Sequence, residues 1–455
     1  MLHPSTPGEE DARSTPADLD LLLDQQTIQW RLLVIVALCL GVISMDGYDL
    51  GIAGSLAPAI AKNLSTSTAS LLNVFALQTL GQAIGSFAIS PLADRVGRRP
   101  VLVICLILFG LATLAIVATR AITQFGGMRF VTGMMGGALI PVTISLLADI
   151  SPLRWRSTFV GIAYTGLWFG GLGVAAVMTW SLDRYGWRSA FLMGGAASLA
   201  LALFVFWLVP ESPRHLARKN RRNDEVLMTL RQLGIAVVSP KAGFLVKTQT
   251  ARSAPVLELF GDGRAGMTMM LWVAAIFALT ASTLVSFLPT FFHDLAAVPL
   301  PRFAAMLSLS LVASLLAAFT TGLAMDRLGQ YPVMIGCAVL GALALSGLAF
   351  VPFKAPLFAA NIAAVGFFCT ATQQALNVLS PTLYPPQMRA TAVGWKVGVS
   401  KLASTAAPLM GAAILSRSAT LSTALLLCAA PLILLALCAP VLALSARRTA
   451  DQRLT

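Results

Sequence analysis

Five charged side chains stand where charge is costly. Asp46, Asp49, Arg129, Lys396 and Lys401 all lie inside long apolar runs, and a charge at the middle of a membrane helix costs about 3 kcal/mol on insertion scales. Charges that persist there are candidates for function. Asp46 and Asp49 stand three residues apart in Asp46-Gly-Tyr-Asp49, so a helix puts both carboxylates on one face. Two acids this close in a low dielectric resist being ionised together, so one of them can take and lose a proton near physiological pH. Proton coupling through Asp46 and Asp49 is the chemistry this implies, with a structural ion pair as the bland alternative.

Three cations complement the acids. Arg129 opens Arg129-Phe-Val-Thr-Gly133-Met-Met-Gly136-Gly137 and shares a stripe with Gly126, Gly133 and Gly136, where small residues leave room for a neighbouring backbone or a bound molecule. Its fork can donate two parallel bonds to a carboxylate, supplied by a first-run Asp or by a substrate. Lys401 lies on a stripe with Gly394, Gly398, Thr405 and Pro408. Lys396 stands nearer the run's end, as an anchor reaching for the interface or as a ligand. Gln373, Gln374 and Asn377, with Thr280, Thr283 and Ser286, are the sparse polar groups that orient a bound molecule in an apolar pocket. Arg129 and Lys401, with Lys396 as a further candidate, leave a net positive site, which favours an organic anion and a dicarboxylate in particular.

The elements that position these groups are membrane helices. Hydrophobic residues make up 57% of the 455 and charged residues 11%, against about 25% charged in soluble domains. Apolar runs fall near 32–58, 68–91, 100–119, 122–148, 157–180 and 189–209, then 266–291, 303–325, 331–351, 356–383, 391–416 and 420–445. Each is about the length a helix needs to cross the hydrocarbon, and backbone in lipid must satisfy its own hydrogen bonds. The expected fold is an all-α membrane protein of twelve transmembrane helices in two six-helix bundles. The expected division is a polar tail over 1–30, bundles over 31–210 and 266–445, a central loop over 211–265 and a short tail over 446–455. The first tail reads as disordered and carries no cleaved signal peptide. Loops on the side of the termini hold 20 Lys and Arg against 7 on the other side, which puts both termini in the cytoplasm. The formal charge of +13 is therefore a topology signal, and no nucleic-acid partner is inferred from it. All six Cys fall in apolar runs without a CxxC pair and read as packing residues.

A repeat joins the two halves. Ser90-Pro-Leu-Ala-Asp94-Arg95-Val-Gly97-Arg98-Arg99 follows the second run, and Gly322-Leu-Ala-Met-Asp326-Arg327-Leu-Gly329-Gln330 follows the eighth. The glycine turns the chain, the acid bonds a helix N-terminus or a basic group, and the arginine grips helix-end carbonyls. Asp94, Arg95, Gly97, Arg98, Asp326, Arg327 and Gly329 are thus candidates for a conformational latch.

With these motifs the chain resembles the major facilitator superfamily over residues 30–445. Asp46-Gly-Tyr-Asp49 with Gly51 and Ala57-Pro58-Ala59, and Gln374-Ala-Leu-Asn377 leading to Tyr384-Pro385, Arg389-Ala-Thr391 and Gly394-Trp395, resemble the aromatic acid:proton symporters, carriers of 4-hydroxybenzoate, benzoate and muconate. The resemblance implies alternating-access import of an aromatic or related (di)carboxylate with protons, at a bacterial inner membrane, by a chain working as a monomer without cofactor. It also implies transport roles for Asp46, Asp49 and Arg129. Ser400-Lys401 stands where that family commonly has Gly-Arg, and Lys396 is an added cation. A proton-driven exporter is the alternative, though span five lacks the exporters' Gly-Pro motif. A channel or membrane enzyme is a remote one, because no filter, nucleophile motif or metal-ligand spacing appears and the three His lie outside the apolar runs.

Overall fold

The computed structural model describes residues 17–25, 28–218, 223–235, 244–245, 256–261, 263–353, 356–384, 389–417 and 420–451. Among them, 12 helices are long and apolar enough to cross a membrane, so the chain is an all-α, multi-pass membrane protein. Span one is Trp30–Asn63, longer than expected because Pro58 sits inside the helix without ending it. Span two is Thr68–Ala88, continued by Ser90–Val96, and spans three and four are Arg98–Ile116 and Ile122–Ile150. Span five is Leu153–Tyr164 followed by Gly166–Tyr185, and span six is Arg188–Leu208. Span seven is Ala265–Ser286 followed by Leu288–Ala296; spans eight, nine and ten are Leu300–Leu328, Gln330–Gly347 and Pro356–Thr382. Span eleven is Arg389–Ser404 followed by Ala406–Ser416, and span twelve, Leu421–Asp451, runs on into the expected tail.

Two of the breaks follow from proline. Pro289 cannot donate to the Val285 carbonyl and Pro408 cannot donate to that of Ser404, and the helices restart beside Phe287 and Thr405. Span five breaks at Thr165, whose hydroxyl donates to the Ile162 carbonyl at 2.6 Å.

Packing is mostly local to each half. Span four lies against spans two and three, three against six, and one against five; in the second half eight packs on ten, nine on ten and twelve, and seven on twelve. The halves meet where span five touches eight, two touches eleven and one touches seven. One buried cluster runs through this seam, from Ile52, Leu72 and Phe75 to Phe287, Phe291 and Ala407. The Thr290 hydroxyl donates to the Gly54 carbonyl across it at 2.6 Å.

The tail is more ordered than its polarity suggests. Leu19–Gln25 is a helix, and Leu19 and Leu23, four apart on one face, are fully buried in a cluster with Leu216, Val226, Leu230 and Leu233 of the central loop. Ala17–Asp18 pairs with Phe244–Leu245, and the Gln29 amide donates to the Gly234 carbonyl at 2.8 Å. The expectation of a disordered tail therefore fails over 17–25, because two leucines at helical spacing join an apolar cluster with Leu153–Tyr164 and the central loop. Residues 1–16 lie outside the described residues.

Candidate transport site

Each residue of Asp46-Gly-Tyr-Asp49 meets a different neighbour. Asp46 accepts from the Gln82 amide of span two at 3.1 Å. Gly47 lies against the backbone of Leu167 in span five, so closely that a Cβ would sit 2.7 Å from the Leu167 carbonyl carbon. Tyr48 donates its hydroxyl to the Ala190 carbonyl of span six at 2.8 Å. Asp49 accepts from Arg129 of span four at 2.5 Å and, on its other oxygen, from the Gln78 amide of span two at 2.5 Å. Span one is thereby fixed to four other helices by consecutive residues.

Arg129 completes the triad. Its guanidinium also donates to the Gln78 side-chain oxygen and to the Asp49 backbone carbonyl at 3.3 Å, and lies over the rings of Phe75 and Phe191, 5.5 and 5.7 Å from their centroids. Arg129 is 0% exposed and Asp49 2%. The glycine stripe beside it is filled by this packing: Gly126 faces Val74, Gly133 faces the Gln78 backbone, and Gly136 faces Asp46 and Phe109. The room the stripe provides is taken up by span two and neighbouring side chains.

The second half contributes a separate polar group. Lys396 of span eleven is 3% exposed and donates to Asn377 of span ten at 2.7 Å; Asn377 donates in turn to Gln374 at 3.3 Å. As a snorkelling anchor Lys396 fails, since its ammonium points into the protein. Gln373 accepts from Ser282 of span seven at 2.9 Å. Lys401 is partly exposed and near enough to Asp46 for their charges to attract. Trp395 lies between Trp272, stacked at 6.3 Å, and Phe87 of span two at 6.2 Å. Thus Asp46, Asp49 and Arg129 form one cluster with Gln78 and Gln82, Lys401 faces that cluster from the other half, and Lys396, Asn377 and Gln374 form a second group.

The repeated motif divides. Gly97 and Gly329 both take positive φ, +127° and +91°, as turns that favour glycine. In the first copy Arg98 pairs with Asp149 at the end of span four and donates to Ser145 at 2.8 Å and Ser212 at 3.0 Å, while its backbone N–H donates to Glu211 at 3.0 Å. Arg95 is exposed, and the side chain of Asp94 lies outside the described residues. In the second copy Asp326 and Arg327 are both exposed and form no ion pair among the described residues.

Residues 36–309 and 297–454 match the Major Facilitator Superfamily. The chain belongs to that superfamily. It is similar to the gallate transporter of Pseudomonas putida, 32% identical with 88% of this chain and 89% of that one covered. The 4-hydroxybenzoate transporter of the same organism is 31% identical, with the same shares covered. The inward open xylose transporter XylE from E. coli superposes with a TM-score of 0.70 at 18% identity, over 89% of this facilitator and 95% of that chain. This facilitator is a transporter, not an enzyme.

Sequence reasoning missed Gln78, Gln82 and Asp149. The two glutamines had a signal, being four apart within a membrane span and so on one face.

Proposed function

We propose that this facilitator imports the anion of an aromatic acid together with protons, by alternating access, across a bacterial inner membrane, with both termini in the cytoplasm. The protein works as a monomer and needs no cofactor. The observation that carries the reading is the buried Asp49–Arg129–Gln78 triad, with Asp46 next to it and Lys401 facing Asp46 from the other half. The relatives' substrates, gallate and 4-hydroxybenzoate, supply the substrate class.

Coupling follows from competition for Lys401. With the site empty, Lys401 is the cation of the second half within electrostatic reach of Asp46. A substrate carboxylate that takes Lys401 leaves Asp46 without a counter-charge in a low dielectric, and Asp46 then binds a proton. Substrate and proton therefore enter together, and release of either favours release of the other. Asp49 is the second titrating group, held by Arg129 until the cycle separates them.

Purified protein in proteoliposomes with an inward proton gradient is expected to accumulate labelled gallate or 4-hydroxybenzoate above equilibrium and to lose the accumulation on adding a protonophore. Uptake indifferent to the gradient, or driven by an outward one, overturns the symport reading.

A further inference from the structure

The charges of the site do not balance within the chain. Arg129 is paired with Asp49, and Lys401 is attracted to Asp46. Lys396 has no acid partner among the described residues. Between residues 266 and 445 the only acids are Asp294 and Asp326, the first bonded to His293 at the end of span seven and the second exposed at the end of span eight. Lys396 is 3% exposed, and among the described residues its ammonium meets a single acceptor, the Asn377 side-chain oxygen at 2.7 Å, out of the three bonds it can donate. A lysine kept for structure is paired with an acid or reaches for water, and this one does neither. A buried cation without an anion is unfavourable until one arrives.

We propose that Lys396, with Asn377 and Gln374 behind it, is a second acid-binding point, and that the preferred substrate carries two ionised groups on a rigid frame, as a benzenedicarboxylate does. The inference rests on the aromatic-acid reading above and adds to it the charge of the substrate. One carboxylate takes Lys401, on the side of Asp46; the other takes Lys396, on the side of span ten. The two lysines are five residues apart, about 7.5 Å along a helix axis and about 140° around it, so a rigid diacid would bridge from one face of span eleven to the next, within the reach of two flexible lysine stems. Asn377 uses its oxygen on Lys396 and its amide on Gln374, which fixes the ammonium in place. A monoacid leaves Lys396 uncompensated and so binds less well.

The test compares terephthalate and isophthalate with benzoate in proteoliposomes, using the wild type, Lys396→Met, Lys396→Arg and Asn377→Ala. The expected result is that the wild type has the lower KM for the diacids. Lys396→Met should raise that KM about tenfold more than the KM for benzoate, the loss expected for a charged hydrogen bond, and Lys396→Arg should restore most of it. Thermal unfolding of the detergent-solubilised variants with terephthalate reads the same ranking without transport, through stabilisation by bound ligand. If the wild type moves benzoate but neither binds nor moves the diacids, or if Lys396→Met weakens both classes equally, the second acid-binding point is wrong and the aromatic-acid reading stands. If the wild type moves and binds none of these acids and neither gallate nor 4-hydroxybenzoate, both fall.

Discussion

Arg129 reaches Asp49 at 2.5 Å with both side chains shut away from solvent, so neither can change charge without a cost to the other. Removing one member of such a buried pair strands the other's charge. Local stability and the attachment of span one to span four therefore meet at one contact, and so does proton uptake on the proposed function.

Asp49→Asn keeps the shape and loses the titratable group. Proton-driven accumulation is expected to vanish while counterflow exchange, which moves no net proton, survives. Accumulation at the wild-type level in this variant would remove Asp49 from the coupling scheme.

Arg129→Lys keeps the charge but cannot reach Asp49, Gln78 and two aromatic faces at once, since an ammonium lacks the planar fork. Uptake is expected to fall at least about tenfold and the midpoint of thermal unfolding to drop, because breaking a buried pair costs about 3–5 kcal/mol and this change breaks much of it. Unchanged uptake and melting would reduce Arg129 to a generic counter-charge.

Gln78→Leu removes the group that both donates to Asp49 and accepts from Arg129. Hydrogen bonds to charged groups are worth about 1.5–3 kcal/mol each, so this substitution should destabilise more than Gln82→Leu, which loses one bond to Asp46. The comparison is made by thermal unfolding in detergent, and the reverse ranking would refute the triad's primacy.

The two motif copies differ in a way transport can read. Arg98→Ala deletes the centre of a network that includes Asp149, Ser145 and Ser212, whereas Arg327→Ala removes an exposed side chain. We expect Arg98→Ala to lower the uptake rate about tenfold or more and Arg327→Ala to lower it less than about twofold, exposed substitutions being mild. Equal effects would mean that the second copy is engaged in a conformation other than this one.

The spans were legible in the sequence because length and apolarity act locally, and the five intramembrane charges were legible because each is costly. What each charge touches was not, because partners come from other spans. The Gly126–Gly133–Gly136 stripe promised space beside Arg129, but Val74, Gln78, Phe75 and Phe191 fill and roof it from spans two and six. Lys396 was equally consistent with an anchor and a ligand until Asn377, 19 residues away in sequence, was seen to hold it inward. The tail misled because its many acids outweighed Leu19 and Leu23 in composition, although not in packing.

Phe75 has two faces that matter. One lies under the Arg129 guanidinium; the ring also stacks at 6.4 Å on Phe287, the residue at which span seven breaks in the opposite half. A single aromatic ring therefore separates the charge held at Asp49 from the joint in the other bundle. Cation–π attraction depends on the guanidinium and not on the carboxylate, so Arg129 keeps its grip on this ring whether or not Asp49 carries a proton. On the proposed function, this contact is a bearing surface as well as a switch: charge would be exchanged on one side of the arginine while the other side stays against the ring that touches the opposite half.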